Sequence, residues 1–251
     1  MDLLQLTTRL LPRGVTEAVH VNRAVRRAGY RLPLRHSLKS SVAFLEHLPT
    51  GLLAGPVVAV DVGANVGDWT AAMLHIPQSK VIAVEPTSES VRVLRERFAA
   101  EPRVTIAPVA AGSEISTLTL RLTSHPNFNS ALPLGADLNV MYPGVKETGT
   151  EDVPVTTLDL LLAEVAEITL LKIDVQGFEP QVLAGVADVL RRTRCIMIEC
   201  LFRSHYSGDA LIWDLNPLLE EAGFHLFRLG TPYLGLAREF LWADAIYVPT
   251  D

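Results

Sequence analysis

VVAVDVGANVGDWTAAML, residues 57–74, passes from small and branched apolar residues through an aspartate and the turn Gly63-Ala64-Asn65-Val66-Gly67 into a helical pattern. An apolar run of this kind, followed by a helix, reads as a parallel strand buried on both faces. In an open α/β sheet, ligands bind in the crevice beyond the C-terminal ends of such strands. Gly63 and Gly67 let the backbone turn sharply and approach a ligand closely, while the helix that follows presents unpaired N–H groups. The stretch therefore reads as a ligand platform.

Outward from this turn the pattern alternates. Strand VVAVDV is followed by helix DWTAAMLHI, strand KVIAVEP, helix SESVRVLRERFAAE and strand RVTIAPVAA, separated by short polar or Gly/Pro punctuation. This is a βαβαβ half of a parallel sheet, so the fold class is α/β. TLTLRL then alternates as a strand does. Residues 123–152 show no sustained period and carry Pro, Asn, Gly and Ser throughout; a segment this long inside a compact domain is usually functional or disordered. The remainder reads as strand VPVTT, helix LDLLLAEVA, strand TLLKIDV, helix EPQVLAGVADVLRR, strand CIMIECL, helix GDALIWDLNPLLEEAG, and an antiparallel edge hairpin of HLFRLG and FLWADAIYVP. Trp213, in an amphipathic run with Leu211, Ile212, Leu215, Leu218 and Leu219, reads as core.

With 251 residues, 49% hydrophobic and 20% charged, the chain suits one large globular domain. No window approaches the roughly 18–20 uninterrupted apolar residues of a membrane span, and arginines interrupt the start where a signal peptide needs its apolar stretch. A cytoplasmic protein is expected. Cys195 and Cys200 fall on opposite faces of one strand, about 16 Å apart at roughly 3.3 Å per residue, too far for a disulfide. The net charge of −6 conceals an asymmetry. Residues 1–45 carry eight basic residues against Asp2 and Glu17, a net of +6, which leaves −12 on the rest. This basic arm suits packing on the acidic body, within or between subunits as in a homo-oligomer, or contact with an anionic substrate or membrane surface. Lacking interleaved aromatics, it does not suggest nucleic acid.

The ligand follows from the spacing of the turn. A dinucleotide fingerprint G-x-G-x-x-G beginning at Gly63 would need glycines where Asn65 and Asp68 stand. Asp68 would also set a negative charge at the helix start where a pyrophosphate docks. Asp61-x-Gly63-x-Asn65-x-Gly67 suits instead a ligand without phosphate and with a positive centre, such as S-adenosylmethionine. Glu85, ending the second strand, can accept both ribose hydroxyls of an adenosine, although its distance from Gly63 would equally suit NAD.

DVGANVG, VEP, VTTLDLLL, LLKIDVQGFEPQVLAG and IMIE, in this order between Val57 and Glu199, resemble the signature of the FkbM-type S-adenosylmethionine-dependent methyltransferases. The resemblance implies the Rossmann-like class I methyltransferase fold, a seven-stranded, mostly parallel sheet in order 3-2-1-4-5-7-6 with the last strand antiparallel. It also implies methylation of a hydroxyl on a sugar, glycolipid or polyketide-type metabolite. The first 55 residues show no signature of the family and are expected to form a basic, mainly helical extension to a methyltransferase domain at 56–251.

The expected cofactor-binding set is Asp61, Gly63, Asn65, Gly67, Glu85 with its neighbour Pro86, Ala110 and Ala111 closing the third strand, and Asp174. Asp174 emerges at the end of strand LLKIDV, and Glu199 ends the neighbouring strand IMIE. Lys172, deeper on the same face as Asp174, reads as a structural ion-pair partner. O-methylation needs an aligned oxygen lone pair and a base that takes the hydroxyl proton. His205 is the base preferred here, because the ordinary histidine pKa suits proton removal at neutral pH. A divalent cation such as Mg²⁺ shared by Asp174 and Glu199 is the less favoured route, since two carboxylates fall short of the roughly six oxygens a hard cation takes. Asn129 and Ser130 in HPNFNSAL, together with Tyr142, are candidate acceptor contacts in a lid over a small-molecule or glycan acceptor. Two alternatives stay open: a non-catalytic binding module of the same fold, and an NAD-dependent oxidoreductase.

Overall fold

The computed structural model describes residues 38–235 and 237–250. The expected alternation is present. Helix α1 (Leu38–Leu45) precedes strand β1 (Val57–Val62), helix α2 (Asp68–Met73), strand β2 (Ser79–Val84), helix α3 (Ser88–Arg97) and strand β3 (Val104–Ala107). After strands β4 (Ala110–Ala111) and β5 (Ser116–Thr123), a 3-10 turn at Pro126–Phe128 and helix α4 (Leu138–Met141) come strand β6 (Glu147–Thr156), helix α5 (Leu158–Leu161) and strand β7 (Leu170–Ile173). Helices α6 (Glu179–Leu183) and α7 (Ala187–Leu190), strand β8 (Ile196–Leu201), helix α8 (Ile212–Glu221) and strands β9 (Phe224–Leu229), β10 (Tyr233–Leu234) and β11 (Phe240–Pro249) complete it.

The main sheet runs β11-β8-β7-β1-β2-β3, with β9 and β10 both paired to β11. The pairs among β3, β2, β1, β7 and β8 are parallel, and β11 runs antiparallel to β8, β9 and β10. Without β10 this is the 3-2-1-4-5-7-6 order; β10 is an eighth strand that the sequence reading lacks. Trp242 pairs with Leu201 on one side and Tyr233 on the other, so β10 extends the outer edge already occupied by β9. The second strand of the expected edge hairpin thus lies inside the sheet, and the first covers it.

Each face of the sheet is packed. One carries Val60, Val62, Leu171, Ile173, Ile196, Ile198 and Cys200 against Leu215 and Leu219 of α8 and Leu158, Val182 and Val189. The other carries Val57, Ala59, Leu170, Cys195 and Met197 against Trp69, Met73 and the buried Leu45, Leu48 and Leu52. The two cysteines belong to opposite clusters, as their spacing requires. Leu45, Leu48 and Leu52 lie within the 1–55 extension, whose residues before 38 are outside the described set. No helix among the described residues is long and apolar enough to cross a membrane.

Three local expectations need correction. The 123–152 segment is not structureless: β6 begins at Glu147 and pairs antiparallel with β5 as far as Thr123, and β4 joins parallel to make a second, three-stranded sheet. The helix read through EPQVLAGVADVLRR breaks between α6 and α7. A Cβ on Gly185 would stand 2.1 Å from the carbonyl oxygen of Gly112, so the main chain after β4 crosses where a side chain would project. Trp213 is 67% exposed; the buried stripe of α8 is Ile212, Leu215 and Leu219, and one residue off that stripe is about 100° around the helix.

Gly63 also has a different reason for being glycine. Its φ of +78° is left-handed, and a Cβ there would lie 1.8 Å from the carbonyl oxygen of Asp174. The small residue serves the close approach of two strand ends rather than space above the turn. Gly51 has a similar φ of +83° with nothing within 4 Å of its Cβ position. Gly51→Ala should therefore cost only the left-handed penalty, about 1–2 kcal/mol, whereas Gly63→Ala adds a backbone clash and should lower the melting temperature far more. Equal melting temperatures for the two variants would remove the close approach as the reason for Gly63.

Candidate active site

The register of the sheet builds the site. Asp61 on β1 lies opposite Lys172 on β7, so their side chains stand on the same face. Lys172 Nζ sits 3.1 Å from Asp61 Oδ1 and 3.4 Å from Asp174 Oδ2 and donates to the Gly63 carbonyl at 3.3 Å. The lysine is only 2% exposed. Burial by itself would depress its pKa, but the carboxylates of Asp61 and Asp174 outweigh that and raise it, so the ammonium stays charged in the interior. Asp61 is fully buried, and its other oxygen accepts the Thr70 hydroxyl at 2.7 Å. Asp61, expected among the cofactor contacts, is thus engaged on both oxygens by Lys172 and Thr70.

The turn after β1 is organised by Glu85. Asn65 has φ +49° and donates its backbone N–H to Glu85 Oε2 at 2.8 Å. Glu85 Oε1 accepts both the N–H and the hydroxyl of Thr87, at 2.9 and 2.6 Å. With two lone-pair positions per oxygen, only Oε2 keeps room for another donor, so Glu85 offers one free acceptor position rather than two oxygens for two hydroxyls. Burial raises its pKa, and the bonds from Thr87 and Asn65 oppose the rise. Pro86 is half-buried beside it. Gly67, at φ +84°, precedes α2, and its Cβ position falls 2.6–2.7 Å from Phe98 and Leu94; it permits packing of α2 against α3. Ala110 and Ala111 are buried in β4, in parallel register with Val155 and Thr156 of β6.

At the ends of β7 and β8 the structure adds a residue that the sequence reading passed over. Gln176 has φ +58°, and its amide nitrogen donates to Asp174 Oδ1 at 2.8 Å and to Glu199 Oε2 at 3.0 Å. Its amide oxygen accepts the Tyr206 hydroxyl at 2.7 Å, and its main-chain carbonyl accepts the Ser130 hydroxyl at 2.6 Å. Asp174 and Glu199 are thus brought together as expected, through a shared amide. Burial, followed by the nearby charges of Asp174, Glu179 and Asp244, pushes the Glu199 carboxyl well above its ordinary range, with Lys172 opposing. Glu179 is buried too. Its Oε1 accepts the N–H groups of Val175 and Gly177, and burial, outweighing those bonds, pushes its carboxyl up to about 7. Neither Gln176 nor Tyr206 stood out in the sequence, although Gln176 directly precedes Gly177 in the motif.

The expectations for His205 and the lid need revision. His205 is 3% exposed rather than solvated. Nδ1 lies 2.7 Å from the Arg203 carbonyl, which only accepts, so Nδ1 carries the hydrogen and Nε2 accepts from the Tyr142 hydroxyl at 3.1 Å. Burial lowers the pKa of the ring. With both nitrogens engaged it has no lone pair for a substrate proton. Tyr142, also buried, accepts from Trp242 Nε1 at 3.2 Å and packs with Phe128, Leu138 and Leu241; it is core rather than pocket lining. Asn129 Oδ1 accepts from the Thr123 N–H, and the buried Ser130 hydroxyl also accepts from Leu132 N–H, so both side chains fold the segment onto itself and onto Gln176. Asn127 of the same segment accepts from the Asn65 side-chain amide at 3.2 Å, which places the 125–130 segment against the turn after β1.

Acidic side chains crowd this end of the sheet: Asp61, Asp174 and Asp244 act on Lys172, and Asp174, Glu179 and Asp244 act on Glu199. Among the described residues, no group of three or more His, Cys, Asp or Glu side chains is arranged to hold a metal ion. The family model described as "Methyltransferase FkbM domain" matches residues 61–226.

The chain belongs to the FkbM methyltransferase family.

It is 32% identical over 239 residues, 85% of its own length and 87% of the relative's, to the 31-O-demethyl-FK506 methyltransferase FkbM of Streptomyces tacrolimicus. It is 29% identical over 197 residues, 67% and 74% of the two lengths, to the methyltransferase sdnD of Sordaria araneosa. The 2-O-methyltransferase NoeI of Sinorhizobium fredii is 28% identical over 179 residues, 65% and 72%. Among solved structures, Streptococcus pneumoniae Sp1610 in complex with S-adenosyl-L-methionine shares the fold, with a TM-score of 0.50, 10% identity, and coverage of 85% of this chain and 72% of that one. This FkbM-family protein is an S-adenosylmethionine-dependent methyltransferase.

Two outcomes follow from the buried groups of the site. His205→Ala should destabilise the fold by about 1–3 kcal/mol, since it removes the acceptor of the Tyr142 hydroxyl hydrogen and the donor to the Arg203 carbonyl, while S-adenosylmethionine binding measured calorimetrically stays close to wild type. A cofactor affinity that collapses in a well-folded variant would contradict this placement. For Glu179, a folded-state pKa above the unfolded value gives stability that is present at low pH and lost as pH rises from about 4.5 to about 7. Glu179→Gln keeps an acceptor for the two N–H groups and removes the charge, so its melting temperature should lose that decline and equal or exceed wild type above pH 7. An unchanged pH profile would refute it.

Proposed function

We propose that this protein methylates a hydroxyl oxygen of a small metabolite or glycan, with Asp174 and Glu199 as the groups that orient the hydroxyl and take its proton. The observation that carries this reading is the pair itself: two carboxylates at neighbouring strand ends, held side by side on the Gln176 amide. Two relatives, one a 2-O-methyltransferase and one a 31-O-demethyl-FK506 methyltransferase, support transfer to oxygen.

When bound, S-adenosylmethionine supplies an electrophilic methyl group on a sulfonium. Asn65 and the remaining acceptor position on Glu85 are the residues that would hold its adenosine end, and the acid-rich end of β7 and β8 suits its positive charge. The protein's own contribution is alignment and proton removal. Asp174 is anchored by Lys172 and Gln176 and serves as the orienting acceptor. Glu199, with a carboxyl whose proton affinity is raised by burial and by its acidic neighbours, holds a proton better than an ordinary carboxylate does and is assigned as the proton acceptor. His205 is omitted because both of its nitrogens are already bonded.

The test supplies the protein with cofactor bearing a labelled methyl group and with sugar and polyketide-type alcohols, and identifies the product bond. A methyl ether is expected. Glu199→Gln should lower kcat by about 10²–10⁴-fold, with S-adenosylmethionine affinity little changed. In the wild type, kcat should rise with pH along a limb above the ordinary carboxylate range, and that limb should vanish in the variant. Transfer only to nitrogen or carbon, or a Glu199→Gln enzyme with wild-type kcat, would sink the assignment.

A further inference from the structure

Gln176 is engaged in the site through both its side chain and its main chain. Four bonds converge on it: Nε2 to Asp174 Oδ1 and to Glu199 Oε2, Oε1 from the Tyr206 hydroxyl, and its carbonyl from the Ser130 hydroxyl. Its left-handed φ of +58° is uncommon for a residue other than glycine and is followed by Gly177 at +95°. Such a conformation costs free energy and persists only where the surroundings fix it. The amide orientation is settled by its partners. Flipped, it would set a carbonyl oxygen against two carboxylates, whereas as placed it gives each carboxylate one N–H and receives the tyrosine hydroxyl.

Two carboxylates facing one another at adjacent strand ends repel unless something positive or hydrogen-donating lies between them. Lys172 is deeper, bonded to Asp61 and on the far oxygen of Asp174. Glu179 spends its oxygen on backbone N–H groups, Asp244 lies opposite Glu199 on β11, Tyr206 donates to Gln176, and Asp209 accepts the N–H groups of His205 and Tyr206. The shared position between Asp174 and Glu199 is therefore filled by the Gln176 amide.

We propose that Gln176 is the positioning residue of this site: its amide nitrogen takes the bridging place between Asp174 and Glu199 that a divalent cation would otherwise take, while its amide oxygen ties that pair to the Tyr206 segment and its main-chain carbonyl ties it to the Ser130 segment. The inference rests on the reading that this pair faces the acceptor, and it explains how the pair is held with one carboxylate oxygen of each directed to the same donor. It also accounts for a residue of unfavourable backbone conformation directly beside the glycine that the turn needs.

The test uses no acceptor, so its failure is distinguishable from failure of the proposed methyl transfer. Mn²⁺ alone is the probe, followed by electron paramagnetic resonance on the full chain, with melting temperatures measured at about pH 5 and about pH 8. Wild type should show no Mn²⁺ site that disappears in Asp174→Asn. Gln176→Glu sets a third carboxylate between the pair. It should melt several degrees below wild type at the higher pH, recover at the lower pH where the added carboxyl is protonated, and bind Mn²⁺ at least about tenfold more tightly than wild type, with the higher-pH melting temperature restored. A wild-type Mn²⁺ site abolished by Asp174→Asn overturns the proposal, and this arm needs no variant at Gln176 to fold. A Gln176→Glu variant whose stability loss is the same at both pH values and that gains no Mn²⁺ affinity also overturns it, because a residue that merely packs would behave in that way.

Discussion

Lys172 sits inside a parallel sheet, where an ammonium survives only if carboxylates accompany it. Its two partners come from the two strands whose ends make the crevice: Asp61 from β1, directly opposite in register, and Asp174 just past the end of β7. The same ammonium reaches the Gly63 carbonyl, and Gly63 lies so close to the Asp174 main chain that no side chain fits between them. The ion cluster and the close approach thus lock the turn after β1 to the strand end that carries Asp174. Removing one member of such a cluster leaves a buried charge uncompensated, typically at a cost of about 3–5 kcal/mol, so the geometry of the crevice is tied to the stability of the sheet.

Above that cluster the chain closes over its own strand ends. The 125–135 segment contacts the turn after β1 through Asn127 and the Gln176 main chain through Ser130, while the segment after β8 contributes Tyr206 to the Gln176 amide. Both converge on Gln176. Behind them, His205, Tyr142 and Trp242 form a buried hydrogen-bonded chain in an apolar cluster, which rigidifies the segments that carry Ser130 and Tyr206. A histidine with the chemistry of a base serves in this way as a structural linker, because burial lowers its pKa and the bonds to Arg203 and Tyr142 commit both nitrogens.

Much of this was legible in the residues. The alternation of strands and helices, the turn at Gly63, Glu85 at the end of β2 and the pairing of Asp174 with Glu199 follow from periodicity and from the rule that strand ends line the crevice. What was not legible depended on contacts between distant segments. Nothing near Trp213 signals which side of α8 meets the sheet, and Gly185 interrupts a helix only because Gly112 passes beside it. The residues from Glu147 gain a strand partner in β5 more than twenty positions earlier, so no local period announces them.

The sequence by itself determined the α/β class, the position of the turn after β1, the spacing of the strand-end acids and the separation of the two cysteines, because each depends on patterns of two to a few residues along one element. Only the tertiary structure decided which of those acids face a lysine and which face the crevice, that His205 is enclosed, and that Gln176 joins the carboxylate pair. Those outcomes depend on register and on burial by other strands and loops. A side chain's charge, its free lone pairs and its exposure are set by neighbours that the local sequence does not name.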